Sequence, residues 1–358
     1  MPKLHLLCPD KGHAVRTDIP ETPKVAKLVP LIVIPCLNEA EHIAPLLAQL
    51  ARTTDQIGGR IVVVDGGSTD GTWEIVSAIA SRDSCISLLH NPRRIQSAAI
   101  NLAVAEDRGV SSHLIRIDAH CRYPDDYCSR LLAEMDRSGA DSVVVSMIAD
   151  GERGVEALNA VAQNSTVGNG GSRHRRRSEG RFVDHGHHAL IRLDAFRAVG
   201  GYDPSFSHNE DAELDFRLRR NGYCIWLTAD PVITYIPRRS LGALTRQYFN
   251  YGCGRARTML KHAVAPQLRQ MKVMMVLPAI VLSALIGVHW IFAAPAALWL
   301  AVCIASGVFL AFRHRRAWLA LSSVSALLMH VAWSTGFWWQ MFGALFVGAS
   351  VASRGNAR

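Results

Sequence analysis

From Val273 to Val351 the only strong charges are Arg313, Arg315 and Arg316, and nearly every other residue is apolar or small. A membrane's hydrocarbon layer takes about 20 apolar residues of helix to cross. The stretch therefore reads as about three spans, at Val273–Val288, Phe292–Phe312 and Trp318–Val351, the last tilted or broken. Residues 1–270 have the composition of an ordinary soluble chain. This pattern predicts a soluble domain followed by a C-terminal transmembrane helical region. Basic residues crowd before the first span, from Arg238 to Lys272, and again at Arg313–Arg316 between the second and third. Positive charge beside a span marks its cytoplasmic side, so the N-terminal domain is expected in the cytoplasm of a multi-pass protein.

The formal net charge is +9 and the pI about 9.4. A basic balance suits nucleic acid, anionic lipid or an anionic substrate. The excess sits in the juxtamembrane segment and at Arg173, Arg175, Arg176 and Arg177. No nucleic-acid module is legible, so no nucleic-acid partner is expected. Eight cysteines are scattered without a CxxC pair and read as reduced, buried thiols. No signal peptide is visible, and residues 1–27 read as a flexible tail.

Leu28–Pro35 is a short apolar run rich in β-branched residues, as is Arg60–Asp65. Such runs are strands buried on both faces. Ile86–Leu89 and His113–Asp118 continue the series, with helical periodicity between the strands. Alternation of this kind predicts an α/β domain, a mostly parallel mixed sheet with helices on both faces. Ligands of such sheets bind at the strands' carboxyl ends. Three polar clusters stand there: Cys36–Glu39, Asp65–Asp70 and Asp118–His120. The expected boundaries are 28–237 for this domain, 238–272 for a basic amphipathic, interfacial helical region, 273–351 for the spans and 352–358 for a tail.

Asp65 closes a buried strand beside two glycines, where a carboxylate can bind a base or ribose and the glycines permit close approach. Asp70 reads as a cap on the next helix. Asp118 and His120 alternate on an extended segment and so point the same way. Together they could hold a divalent cation against a diphosphate; the imidazole tilts the choice toward Mn²⁺ over Mg²⁺. Glu210 and Asp211 open a helix after Asn209, a candidate N-cap, with Leu214 and Leu218 as core stripe. An ionised carboxylate there can serve as general base or simply complement the helix dipole. His185, His187 and His188 lack a third ligand at metal spacing and read as structural. His330 reads as a buried histidine bonded to a neighbouring helix, or as a contact to a polyprenyl-phosphate headgroup.

Ile34-Pro35-Cys36-Leu37-Asn38-Glu39, Val64-Asp65-Gly66-Gly67-Ser68-Thr69-Asp70-Gly71-Thr72, Asp118-Ala119-His120 and Gly200-Gly201-Tyr202-Asp203 through Asn209-Glu210-Asp211 occur in this order. Together they resemble glycosyltransferase family 2. Arg94-Ile95-Gln96-Ser97-Ala98-Ala99 and Gln247-Tyr248-Phe249-Asn250-Tyr251-Gly252 resemble its succinoglycan-building branch. The resemblance implies a GT-A nucleotide-diphospho-sugar transferase fold and an inverting hexosyltransferase. It implies that Pro35, Glu39 and Asp65 contact the nucleoside, and that Arg94 touches the donor. Asp118 and His120 stand where the family holds metal and diphosphate, and Asp211 is the base, with Glu210 beside it. Departures are Gly66 for a second Asp, His120 for the second carboxylate of DxD, and the absence of the QxxRW motif of processive synthases. Arg255 or Arg257 could supply the missing positive charge. The expected reaction moves a single glucose-like sugar from a UDP-sugar to a lipid-linked (polyprenyl diphosphate) saccharide. Its setting is surface polysaccharide assembly at a bacterial inner membrane, beside other polysaccharide-assembly proteins. Alternatives are transfer to polyprenyl phosphate and a degenerate, non-catalytic membrane scaffold.

Overall fold

The computed structural model describes residues 29–171 and 179–355. The expected tail 1–27 and the cluster Arg173, Arg175, Arg176 and Arg177 lie outside the described residues. Two units divide the chain: residues 29–147 with 179–233, and residues 148–171 with 234–355.

The first unit begins with β1 (Pro30–Cys36), α1 (Ile43–Ile57), β2 (Arg60–Asp65), α2 (Thr72–Ala80), β3 (Ile86–His90), α3 (Gln96–Glu106) and β4 (His113–Arg116). Then come β5 (Cys121–Arg122), α4 (Tyr127–Ser138), β6 (Ser142–Ala149), and, in the other unit, α5 (Gly154–Asn164). The first unit resumes with β7 (Arg181–Phe182), β8 (His187–Arg192), α6 (Leu193–Ala198), α7 (Glu210–Arg220) and β9 (Ile225–Tyr235). One nine-stranded sheet runs β3-β2-β1-β4-β8-β6-β9-β5, with β7 on β9. The first four strands are parallel, whereas β8 is antiparallel to β4 and β6. The apolar runs of β1 and β2 are buried almost throughout, as strands covered on both faces must be. Register sets Cys36 opposite Asp65, and Asp65 opposite His90, so these carboxyl ends lie side by side. On one face Val33, Val64, Ile100, Phe196, Tyr202, Leu214 and Leu218 share a core, which locks α3, α6 and α7 to the sheet. The predicted stripe Leu214/Leu218 is thus the buried side of α7.

Asn209 does occupy the N-cap of α7, but it has φ 65° and its side chain makes no capping bond. The backbone there turns through the left-handed region, which Asn tolerates better than most residues. Cys36, Cys121, Cys128 and Cys303 are buried thiols, as expected, but Cys85 is exposed and Cys224 is disulfide-bonded.

In the second unit, the 240–268 periodicity becomes α8 (Leu241–His262), capped by Ser240, whose Oγ accepts from Ala243 N at 3.2 Å. There follow α9 (Leu268–Met274), α10 (Val276–Leu282), α11 (Ala294–Arg313) and α12 (Ser322–Gly355). Among the described residues three helical stretches are long and apolar enough to cross a membrane: Leu268–Gly287, Trp290–Arg313 and Ala317–Leu345. Part of the apolar side of α8 is covered by protein: Leu244 and Tyr248 pack with Ala162, Ala326 and Met329, whereas Leu260 is exposed. The α8 and α12 backbones meet closely at glycine. A Cβ on Gly252 would lie 2.0 Å from Trp333 O, and one on Gly336 would lie 2.0 Å from Phe249 O. Small residues permit this approach between apolar helices. His330 sits between Val167 O (2.8 Å from Nε2) and Trp299 Nε1 (3.2 Å from Nδ1). It donates to the first and accepts from the second, as a buried structural histidine would.

Candidate functional site

The loops leaving β1 and β2 are stitched into one platform. Asn38, at φ 57°, donates from its N to Ser68 Oγ (2.8 Å) and accepts from Thr69 N at Oδ1 (2.9 Å). Glu39 N donates to Thr72 Oγ1 at 2.9 Å. Asp70 accepts from Ala40 N (3.0 Å) and from Thr72 N and Oγ1 (3.1 and 2.6 Å), in keeping with a local, structural carboxylate. Thr72's hydroxyl, followed by Ala40's amide, holds the Asp70 carboxyl below its ordinary pKa. Asp65 is buried, and its carboxylate organises the turn. Gly67 N (2.9 Å), Ser68 N (3.0 Å) and Ser68 Oγ all donate to it. The Cys36 thiol, pushed up to about 12 by burial and by Asp65, lies 3.7 Å away as a further donor. Pro35 is half-buried in β1, opposite Val64. Arg94, at φ 57°, bends over the platform and donates to Gly67 O at 3.3 Å.

At the end of β4 stands a guanidinium that sequence reasoning did not single out. Arg116 is 6% exposed, donating from Nη1 to Asp211 Oδ1 at 2.6 Å and from Nε to Asp118 Oδ1 at 3.1 Å. Glu210 Oε1 lies 3.7 Å from the same Nη1. One buried cation thus gathers three carboxylates from two distant stretches of sequence. Gln96 adds a second donor to Asp118 Oδ1 at 2.7 Å, and Tyr123's hydroxyl clasps the Asp118 backbone. Burial would raise the Asp118 pKa, but Arg116, His187 and His120 outweigh it and hold the carboxyl at about 2. Asp211 is likewise held well below the carboxylate range: burial opposes ionisation, and Arg116, His188 and His187 overcome it. Glu210 goes the other way, raised by burial and by the charge on Asp211. Adjacent carboxyls are thereby split into an ionised group and a readily protonated one.

The histidine run belongs to this centre. His187 lies between Asp118 Oδ2 (3.5 Å from Nε2) and Asp211 Oδ2 (3.6 Å from Nδ1). His188 bonds Asp215 Oδ1 (2.6 Å) and the Tyr202 hydroxyl (2.8 Å), and Tyr202 reaches Asp211 Oδ1 at 3.1 Å. His185 bonds Asp215 Oδ2 at 2.7 Å. The structural reading of these histidines is therefore too narrow: two of them contact the catalytic candidates. A usable signal was present, since Asp211 and Asp215 at i, i+4 share one face of α7.

Of the residues singled out in the sequence, Glu39, Asp118 and His120 come together, with Glu39 Oε1 3.1 Å from His120 Nδ1. Asp118, Glu210 and Asp211 meet through Arg116, while Pro35, Asp65 and Arg94 form the neighbouring platform. Arg255 lies on α8, in the other unit. Among the described residues no group of three His, Cys, Asp or Glu stands ready to hold a metal ion. Asp118 and His120 nevertheless suit a cation that takes few protein ligands and completes its shell with diphosphate oxygens and water. Asp118 Oδ1 accepts from Arg116 and Gln96, whereas Oδ2 has His187 Nε2 at 3.5 Å.

A family model described as glycosyl transferase family 2 matches residues 31–200. The chain is 51% identical over 308 residues to the succinoglycan biosynthesis protein ExoA of Rhizobium meliloti (strain 1021), covering 86% of this chain and 93% of that one. It is 32% identical over 126 residues to the undecaprenyl-phosphate 4-deoxy-4-formamido-L-arabinose transferase of Pseudomonas paraeruginosa (strain DSM 24068 / PA7), covering 34% and 36% of the two chains. Among solved structures it is similar to the mannosyltransferase PcManGT from Pyrobaculum calidifontis in complex with GDP-Man and Mn²⁺. The TM-score is 0.56 at 17% identity, over 89% of this chain and 91% of that one, a likeness of fold that bears out the GT-A expectation.

Proposed function

This chain belongs to glycosyl transferase family 2, and we propose that within it the protein is an inverting hexosyltransferase that moves one sugar from a UDP-sugar to a lipid-linked saccharide. The observation that carries this reading is the Arg116 centre, which keeps Asp211 ionised beside Asp118. The acceptor hydroxyl gives its proton to Asp211 as its oxygen attacks the anomeric carbon. The bond from that carbon to the diphosphate breaks, and UDP leaves with the electron pair. Attack from the face opposite the leaving group inverts the anomeric centre. The platform of Pro35, Glu39 and Asp65 receives the nucleoside, with Arg94 at its edge.

Asp118 and His120 would hold a divalent cation, Mn²⁺ or Mg²⁺, which when bound neutralises the diphosphate and stabilises the leaving group. The mixed carboxylate and imidazole donors favour Mn²⁺, the ion named with the mannosyltransferase complex. The three apolar helical stretches fit a multi-pass protein of a bacterial inner membrane. With Arg313–Arg316 on the cytoplasmic side, the catalytic unit faces the cytoplasm. Similarity to ExoA over 93% of that protein supports a place in succinoglycan-like exopolysaccharide assembly, alongside other assembly proteins. Similarity to an undecaprenyl-phosphate transferase supports a second reading, in which the acceptor is polyprenyl phosphate.

The two acceptors separate experimentally. Membranes containing the protein are given a UDP-hexose with either polyprenyl phosphate or extracted lipid-diphosphate saccharides, and the lipid product is isolated. The proposal expects one added hexose on the saccharide, with the anomeric configuration inverted in the product's NMR spectrum. A sugar placed directly on the phosphate would establish the second reading. Retained configuration would contradict the mechanism.

A further inference from the structure

Next to Asp211 lies a buried chain of groups that the reaction above does not use. His188 is 1% exposed, Asp215 is 0% and Tyr202 is 1%. Tyr202 Oη has three polar neighbours: His188 Nδ1 at 2.8 Å, Asp211 Oδ1 at 3.1 Å and Arg116 Nη1 at 3.5 Å. A phenol has a single hydrogen, so it can donate to Asp211 or to His188 but not to both. If it donates to Asp211, its oxygen is open to a hydrogen from His188 Nδ1. The other ring nitrogen, Nε2, is 2.6 Å from Asp215 Oδ1, an acceptor only. Asp215 is itself fixed by His185 Nδ1 (2.7 Å) and Gly186 N (3.3 Å) at Oδ2.

We propose that Asp215, His188 and Tyr202 are positioning residues for Asp211: His188, donating from both ring nitrogens, turns the Tyr202 hydroxyl hydrogen onto Asp211 Oδ1, so that Oδ1 is saturated and Oδ2 takes the acceptor's proton. The proposal rests on the reading of Asp211 as the base. Oδ1 then holds Arg116 and Tyr202, while among the described residues Oδ2 has the long approach of His187 at 3.6 Å. An oxygen whose lone pairs are filled cannot accept another proton cheaply, so the chain selects the reactive oxygen and fixes the carboxylate plane.

The arrangement is also a proton switch. The groups facing His188 are Asp211 and Asp215 from α7, Tyr202 from the loop before it, Arg116 from β4, and His185 and His187 beside it in sequence. Burial and Arg116 disfavour the charged ring, but Asp215 and Asp211 prevail and its pKa lies above the ordinary value. Loss of the Nδ1 proton at higher pH lets Tyr202 donate back to His188. Asp211 Oδ1 then keeps Arg116 alone, and the rate falls.

The test is kcat against pH for the detergent-solubilised full chain, with the wild type beside Tyr202→Phe, His188→Gln and Asp211→Asn. A hydrogen bond to a charged group accounts for about ten- to hundredfold in rate. Tyr202→Phe is expected to lose that factor in kcat near pH 6, with donor KM unchanged and the alkaline fall of the wild type abolished. His188→Gln accepts from Tyr202 as neutral histidine does, so it should show the wild type's alkaline rate at every pH. Wild-type kcat and an unchanged alkaline limb in both variants would overturn the proposal. So would losses that track a raised KM and a lowered unfolding temperature, the mark of a purely structural role. Asp211→Asn at the wild-type rate would instead remove the base itself, a failure distinguishable from the first.

Discussion

Replacing Arg116 by Met tests how the site is held together. The guanidinium is buried and bonds Asp211 at 2.6 Å and Asp118 at 3.1 Å, with Glu210 at 3.7 Å. At an effective dielectric of about 20, each charge pair near 4 Å is worth about 4 kcal/mol. Much of that is offset by the cost of burying the charges, and breaking such a pair by removing one partner typically destabilises by about 3–5 kcal/mol. For a unit of this size each kcal/mol lowers the unfolding midpoint by about 2–4 °C, so Arg116→Met should lose about 6–20 °C. The substitution nearly preserves volume, which isolates the charge. The assay is thermal unfolding in detergent, followed by intrinsic fluorescence, without metal or donor. Adding Asp211→Asn should recover part of the loss, because one orphaned charge is removed. A midpoint within a degree or two of wild type would refute the argument, as would a double variant no more stable than the single.

Four further outcomes follow from particular contacts. The His188–Asp215 pair gives stability a pH window: the raised histidine contributes fully below its unfolded pKa of about 6.5 and loses its contribution as pH rises through its folded pKa. The depressed Asp215 contributes above about 3.9 and loses its contribution as pH falls through its folded pKa. Denaturant midpoints should therefore show a wild-type excess over His188→Gln that is largest between these limits and shrinks on either side. Gly252→Ala sets a Cβ 2.0 Å from Trp333 O on the facing backbone, so α8 and α12 must part at a cost of about 1–3 kcal/mol. At Gly66 a Cβ would come no closer than 3.4 Å, so Gly66→Ala should unfold within about 0.5 kcal/mol of wild type in the same assay. Asp118→Asn should weaken Mn²⁺ binding measured by calorimetry in the presence of UDP, while leaving metal-free UDP binding nearly intact; unchanged Mn²⁺ affinity would take Asp118 out of the cation site.

The parts of the site legible in the sequence are those whose cause is local. The β-branched runs of β1 and β2 are buried strands because each is covered on both faces, and their polar ends follow from strand length. Asp70 reads as a cap on the next helix, and its carboxylate accepts from Thr72 N and Oγ1 at that helix's first residue. Arg116 was not legible because it lies inside the fourth predicted strand, His113–Asp118, and its three carboxylate partners come from Asp118, Glu210 and Asp211. Only the pairing of β4 with β8 and the packing of α7 bring them to one point. The histidines at 185, 187 and 188 lack metal spacing in the sequence, and their partners are Asp211, Asp215 and Tyr202, which only tertiary structure brings near. The amphipathic pattern of 240–268 did announce a helix, but not that α12 covers Leu244 on its apolar side.

The central claim is that Asp211 activates an acceptor for transfer from a UDP-sugar. Its most direct test is UDP release by purified membranes across a panel of UDP-hexoses, with and without Mn²⁺ and acceptor lipid, for wild type and Asp211→Asn. General-base catalysis contributes about 10²- to 10⁴-fold. The account predicts acceptor-dependent release with one donor, reduced by that factor in the variant. Release with no UDP-sugar from a folded, membrane-inserted protein would contradict the donor assignment, and equal release by the variant would contradict the assigned base.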